Sequence, residues 1–479
     1  MLFNSFEFIF LFLPISIIGY FIINHFHNRL AKFWLVSASL FFYSWWNIKY
    51  LPLILVSIAF NYIVGKMLNQ NRQQTSRKNI LILGLIGNLG LLGYFKYADF
   101  FINNLNYVLN SHLNLLNIVL PLAISFFTFQ QIAYLVDTYR GEAKEYDLLN
   151  YALFVSFFPQ LIAGPIVHHK EMMPQFLAND NKGLNYANLA TGLFIFFIGL
   201  FKKVVIADTF AVWATFGFDV ALSLSFIEAW LISLSYTFQL YFDFSGYTDM
   251  AIGAALMLNI KLPINFFSPY KSLNIQEFWR RWHMTLSRFL QDYVYIPLGG
   301  NRKGEYVTYR NLVLTFLIGG LWHGAGWNFV FWGFLHGLAL VIHRFWRKFN
   351  INMPKVIAWF LTFNFVNLAW VFFRANTFTD ALKVIRGMLG LNGIILPSSW
   401  ADKLAMFSTN SFAAYQLTDI RNAFIFVILG LVITLACKNS IELKDKFKPN
   451  ILYLLWAAIL ALIAFTQLTG VSEFLYFNF

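Results

Sequence analysis

Apolar stretches long enough to cross a bilayer recur along the whole chain, and nothing else in the sequence limits its fold so strongly. A helix rises about 1.5 Å per residue, so about 20 residues span a hydrocarbon core about 30 Å thick. Runs at or near that length fall at 6–24, 33–46, 50–67, 79–95, 115–136, 148–167, 187–206, 227–260, 311–322, 326–343, 356–373, 422–437 and 451–469. No two-residue alternation competes with them, so the expected fold is all-α and polytopic, with about 11 to 13 transmembrane or re-entrant helices in one domain spanning 1–479. The run at 33–46 is short for a crossing and 227–260 is long for a straight one, so some elements must be tilted, broken or re-entrant.

Composition closes the alternatives. Of the residues 59% are hydrophobic and 12% charged, about half the charge that a soluble surface draws on. Disordered, collagenous and soluble enzyme classes are excluded. The net charge of +13 would suggest nucleic acid in a soluble protein, but here the basic residues sit in short segments between apolar runs. They read as cytoplasmic loops beside anionic lipid headgroups, so membrane lipids and not nucleic acid are the expected partner. Cys437 is the lone cysteine, which excludes an intrachain disulfide and a cysteine metal site. The first run has no basic flank before it, contains Glu7 and reaches no small-residue cleavage site, and is expected to be a retained helix.

Two basic segments set the orientation. The 66–78 linker has no acid, and 261–310 carries eight Lys or Arg against three acids; both are expected in the cytoplasm. Within the second, Asn274 with Glu277 three residues on reads as a helix start. Ile275, Phe278, Trp282, Leu286 and Phe289 then recur at helical spacing, which predicts an amphipathic helix against the membrane or the bundle, closed by Pro297 and Gly299-Gly300-Asn301.

The 311–343 stretch follows as a predicted re-entrant helical hairpin broken at Trp322-His323-Gly324-Ala325-Gly326-Trp327. If Arg310 and Arg344 both mark the cytoplasmic interface, His323 lies roughly 18 Å into the core. A turn at that depth must be enclosed by protein or line a wet cavity, and an intramembrane ionisable residue is a functional candidate. A buried ring bonded to a carbonyl is the plain alternative; the two glycines beside His323 favour a cavity, since glycine permits close backbone approach. His283 reads either as functional or as interfacial. Trp322, Asn328 and His336 are candidates for the walls. Gln239 and Asp243, in a polar set within Phe238–Met250, read equally as surroundings of the site or as a network tying helices together.

No metal site is expected, because there is no HExxH and no i, i+4 histidine pair beside a glutamate. Gly299–Gly304, with Arg302 and Lys303, lacks the spacing of a phosphate loop and reads as a basic turn. With no G-x-S-x-G elbow and no evident nucleophile, a buried histidine suits general-base transfer of an acyl group to a hydroxyl.

Longer motifs carry a resemblance. FFPQLIAGPI at 157–166, YTFQLYFDFSGYTDMAIG at 236–253, FWRRWHMTLSRFLQDYVYIPLGGNR at 278–302, GGLWHGAGWNFVFWGFLHG at 319–337, WVFFRA at 370–375 and the closing FLYFNF are similar to bacterial membrane-bound O-acyltransferases, in particular the alginate O-acetylase and peptidoglycan O-acetyltransferase branch. The resemblance implies helices ringed around a central funnel in the inner membrane. It places the family's invariant histidine at His323 and its second histidine at His283, making these the expected catalytic pair. It further implies a cytoplasmic thioester donor, acetyl-CoA, with no resident cofactor, and a separate periplasmic SGNH-type O-acetyltransferase that completes esterification of a polysaccharide. Arg302 and Lys303 are candidates for the donor's phosphates. A transporter or channel is the main rival class, D-alanyl transfer to teichoic acid a rival within the family, and a lipid-carrier glycosyltransferase is disfavoured by the basic loop.

The shared side of the two basic segments is directly testable. Single cysteines at Gln70 and Arg302, in a Cys437→Ser background, are expected to resist an impermeant thiol reagent in intact cells; labelling of either from outside overturns the assignment.

Overall fold

The computed structural model describes residues 1–71, 73–143, 146–178, 183–395, 417, 419–470 and 475. Arg72 of the basic linker and the closing FLYFNF, except Leu475, lie outside the described residues. Among those described, every regular element is helical. In chain order the principal helices are α1 (Glu7–Phe26), α2 (Asn28–Ser44), α3 (Ile48–Gln70), α4 (Gln74–Leu109), α5 (Ile124–Arg140), α6 (Leu148–Ser156), α7 (His169–Leu177), α8 (Tyr186–Val220) and α9 (Phe226–Met257). They continue as α10 (Ile275–Trp279), α11 (Met284–Leu290), α12 (Glu305–His323), α13 (Trp327–Phe349), α14 (Lys355–Arg374), α15 (Phe378–Met388), α16 (Ile420–Ala436), α17 (Ser440–Lys446) and α18 (Ile451–Gln467).

Six of these helices are long and apolar enough to span a membrane, or seven if α16 and α17, bent by 50°, form one crossing. This is a multi-pass membrane protein. The count of full spans falls below the number of apolar runs for local reasons. The 115–136 run becomes helical only at Ile124, because Pro121 offers no N–H and Ala123 adopts φ 61°. The 148–167 run breaks after Ser156, resumes for one turn at Phe158–Leu161 and leaves the helix before Pro165. By contrast, 227–260 is neither broken nor re-entrant: α9 is one helix of 32 residues, about 48 Å long. It exceeds the core thickness and therefore must tilt or project.

Helix α9 is buried over almost its whole length. Against α8 it packs backbone to backbone: a Cβ on Gly199 would lie 2.5 Å from the Gly246 carbonyl oxygen, and one on Gly253 would lie 2.5 Å from that of Gly192. The two antiparallel glycine pairs let the helices approach more closely than side chains allow, which matters where lipid supplies no hydrophobic drive between helices. Charges lock the same contact. Lys203 Nζ lies 2.7 Å from Asp243 and from Asp208, and Lys202 lies 2.8 Å from Asp249.

The 261–310 segment departs from a single amphipathic helix. Asn274 caps α10 through the Glu277 N–H at 2.8 Å, but the chain breaks at His283, whose φ is 41°, before α11 begins. Ile275, Phe278, Trp282, Leu286 and Phe289 are all buried against protein. The segment shares its end of the bundle with the 66–78 linker: Arg77 donates to the Thr138 and Tyr139 carbonyls, and Arg140 at the end of α5 donates to the Asp292 carbonyl.

The glycine contact yields a stability prediction. Gly199→Ala is expected to cost about 1–3 kcal/mol through overpacking. Gly90→Ala, where an added Cβ meets nothing within 4 Å, is expected to be neutral or to gain up to about 1 kcal/mol of helix propensity. Thermal unfolding midpoints of the two variants in detergent decide it.

Candidate functional site

His323 is the last residue of α12, and the chain turns extended at Gly324 (φ −160°) before α13 starts at Trp327. A Cβ at Gly324 would collide with the Phe329 ring, so the tight turn requires glycine. The hairpin is closed by backbone approach of Gly320 and Gly333. It begins at Glu305, six residues before 311, so His323 stands about 27 Å along the helix from that end.

A helix end leaves its last carbonyls without intrahelical partners. Here another helix satisfies them. Lys96 of α4 reaches in, its ammonium 2.5 Å from the Trp322 carbonyl oxygen, 3.4 Å from that of His323 and 3.2 Å from Ser125 Oγ. Tyr97 donates to the Leu321 carbonyl at 2.8 Å. A cation at a helix C-terminus is favourably placed against the helix dipole, and the clamp fixes the turn from which the His323 ring projects.

His283 approaches from the basic segment, and its position is braced by Asn265. Asn265 Oδ1 accepts from the Thr285 N–H at 3.2 Å and from the Thr285 hydroxyl at 3.0 Å, which identifies it as the oxygen. His283 Nδ1, 3.1 Å from the same atom, must therefore donate to it. In the neutral ring Nε2 then carries the lone pair, and among the described residues that nitrogen has no hydrogen-bond partner. A left-handed backbone at a non-glycine residue is costly and recurs at functional positions.

The His283 and His323 ring centroids are 6.4 Å apart, and both side chains are buried, at 0% and 3% exposure. The position of His283 is thus interior, not interfacial. Trp322, Trp332 and Phe373 wall His323 at 4.8, 5.2 and 5.1 Å between centroids, and Phe244 lies 4.8 Å from His283. The indole N–H groups of Trp322 and Trp332 have no hydrogen-bond partner among the described residues. A groove lined by Trp279, Arg280, Met284, Thr285, Ser287 and Arg288, among others, opens beside the turn that carries His283.

The other candidates are dispersed. His336 is buried one aromatic layer away, its Nδ1 accepting from Trp279 Nε1 at 3.2 Å and its ring 4.7 Å from Trp332. Asn328 donates to the Ala375 carbonyl at 2.7 Å, tying the start of α13 to the end of α14. Asp243 faces Lys203 in the α8–α9 network, and Gln239 is buried on the same helix. Arg302 and Lys303 are exposed at the opposite end of α12 from His323. Lys96 and Asn265 escaped the sequence reading. A lone lysine just past the 79–95 apolar run was a usable signal for Lys96; Asn265, in a loop 18 residues from its partner, had none.

Comparison with known proteins gives a consistent picture. Residues 139–379 match the model of the membrane-bound O-acyltransferase family. The chain is 54% identical to a peptidoglycan O-acetyltransferase of Helicobacter pylori across all of this chain and 98% of that protein. It is 40% identical to a probable alginate O-acetylase of Pseudomonas aeruginosa over 88% of this chain and 77% of that one. A teichoic acid D-alanyltransferase of Bacillus subtilis is 29% identical over 55% of this chain and 70% of its own length.

The clamp at the end of α12 predicts a stability effect. Lys96→Met leaves the Trp322 carbonyl without its donor and Tyr97→Phe does the same to the Leu321 carbonyl, so each is expected to cost about 1–3 kcal/mol. Thermal unfolding in detergent measures both; an unchanged midpoint for Lys96→Met removes the clamp.

Proposed function

The chain belongs to the membrane-bound O-acyltransferase family, and from that premise we propose that it carries an acetyl group from cytoplasmic acetyl-CoA across the inner membrane for O-acetylation of a cell-envelope polysaccharide. Peptidoglycan stands ahead of alginate as the acceptor on the strength of the full-length similarity to the Helicobacter pylori protein. D-alanyl transfer is disfavoured because that relative matches only about half of the chain, 55%. A periplasmic SGNH-type O-acetyltransferase is the proposed partner that completes the ester.

One observation carries the reading: two buried histidines face each other at 6.4 Å, one at a glycine-flanked helix end and one on a turn beside the groove in the basic segment. His323 is the proposed general base. It takes the proton of the hydroxyl that receives the acetyl group for hand-over to the partner, as that oxygen attacks the thioester carbonyl carbon. The carbon–sulfur bond then breaks, the ester oxygen stays on the acetyl group, and the thiolate leaves as a thiol with the proton the imidazole had taken. The indole N–H groups of Trp322 and Trp332 supply donors that a developing oxyanion would satisfy. His283, its Nδ1 committed to Asn265, positions the donor. The lone pair on His283 Nε2 favours one second reading, in which the two histidines exchange roles.

General-base catalysis contributes about 10² to 10⁴ in rate, or roughly 3–5 kcal/mol at about 1.4 kcal/mol per tenfold. His323→Ala is expected to lose that much while still inserting and folding, and His283→Ala to lose less. O-acetyl esters on the surface glycan, quantified in a deletion strain complemented at matched membrane levels, provide the readout. A larger loss for His283→Ala selects the exchanged roles. Wild-type acetylation by His323→Ala refutes the mechanism and moves a transporter ahead.

A further inference from the structure

Outside the histidine pair, a second cluster of ionisable side chains lies where α5 ends and α7 begins. Asp137, His168 and His169 each offer one ligand atom, all within 4.8 Å of one another. Asp137 Oδ2 is 3.0 Å from His169 Nε2 and 3.4 Å from His168 Nδ1. Metal–ligand bonds of about 2.0–2.2 Å in a tetrahedron set neighbouring ligands about 3.3 Å apart, and the two separations from Asp137 Oδ2 lie close to that value. Asp137 and His169 are buried and His168 is partly exposed, which leaves a route for an ion to enter.

The outer atoms of all three side chains are held. His169 Nδ1 lies 3.4 Å from the Tyr146 hydroxyl, and the Tyr293 hydroxyl lies 2.6 Å from His168 Nε2 and 3.0 Å from Asp137 Oδ1. Metal-ligating histidines and carboxylates are characteristically fixed in this way through the atom that does not bind the metal. Arg140, 3.9 Å from Asp137 Oδ1, lies toward the outer oxygen.

Proton bookkeeping sharpens the case. Tyr293 has one hydroxyl hydrogen and two contacts, to an imidazole nitrogen and to a carboxylate oxygen. Both are hydrogen bonds only if His168 Nε2 donates to the Tyr293 oxygen and Tyr293 donates to Asp137. In that arrangement the neutral ring turns the lone pair of His168 Nδ1 toward Asp137 Oδ2, 3.4 Å away, and a cation between them would be bound by both. The other arrangement, Tyr293 donating to His168 Nε2, turns Nδ1–H toward Asp137 and needs no ion. We propose that Asp137, His168 and His169 form a divalent-cation site for zinc, with three protein ligands and a water, which joins α5, α7 and, through Tyr293, the segment after α11. No HExxH or paired-histidine spacing announces it, because the fold and not the sequence brings residue 137 to 168 and 169.

The test uses the full chain in detergent, stripped with a chelator and then dialysed against Zn²⁺. Elemental analysis is expected to find one zinc per chain, lost in Asp137→Asn and in His169→Gln, and zinc is expected to raise the thermal unfolding midpoint of the wild type but of neither variant. In a Cys437→Ser background, His169→Cys loaded with Co²⁺ is expected to show a thiolate-to-cobalt charge-transfer band that the exposed control His112→Cys lacks. Folded wild type that retains no zinc overturns the proposal and leaves the three side chains as a hydrogen-bonded network. Equal uptake by folded Asp137→Asn, or a missing band in folded His169→Cys, overturns it as well. If the variants misfold, the wild-type stoichiometry and midpoint decide.

Discussion

A helix that ends inside a membrane protein leaves carbonyls that neither water nor lipid can satisfy, and the site depends on how this chain resolves that problem. At His323 the remedy is a cation and a hydroxyl from a different helix, Lys96 and Tyr97 on α4. The helix can therefore stop, turn through Gly324 and Gly326, and return as α13, leaving a titratable ring at the turn. Without the clamp, the same turn would expose unpaired backbone at a cost of about 1–3 kcal/mol for each buried orphan.

The scaffold behind this turn is built for closeness. Helix α9 is too long to sit upright in a bilayer and too polar on one side to face lipid, so it is sheathed by other helices. Its glycines admit α8 to backbone contact, and Asp243 and Asp249 face Lys203 and Lys202 across that contact. Buried ion pairs of this kind are weak evidence for net stability, because desolvation offsets much of the attraction. Their effect is on register: with two glycine pairs seven residues apart and the charge pairs next to one of them, α8 and α9 fit together in one arrangement. Phe244, one residue from Asp243, then meets the His283 ring, which joins that register to the site.

What the sequence made legible follows from which interactions are local. Length, hydropathy and the clustering of basic residues disclosed a helical multi-pass protein, and the glycine-flanked break marked His323, because each depends on neighbours in the chain. Whether α9 is tilted, broken or re-entrant stayed open from sequence, since its apolar run exceeds a straight bilayer crossing and only tertiary burial shows that it need not bend. The break at His283 was missed. The helical spacing of Ile275, Phe278, Trp282, Leu286 and Phe289 continues across it, and the bracing Asn265 lies in another loop. Asp243 was open to two readings from sequence, and the structure sets it opposite Lys203, a partner about 40 residues away that no periodicity could identify.

The placement of cations then separates two routes to the histidine pair. Arg302 and Lys303 stand at the far end of α12, about 30 Å along the helix from His323. Arg280 is three residues from His283 and lines the groove whose wall, Met284 and Thr285, directly follows that histidine. Its neighbours are committed: Arg281 lies 2.8 Å from Glu277, and Arg288 is held by Glu171. Among the described residues Arg280 is exposed and has no ion pair, so it is an available positive charge at that groove. On the proposed function, a thioester whose phosphates rest near Arg280 would lie in the groove beside the turn that carries His283. With the groove beside the turn of His283 and His323 presented by a separate hairpin, donor and acceptor on the proposed function would meet the pair from different elements.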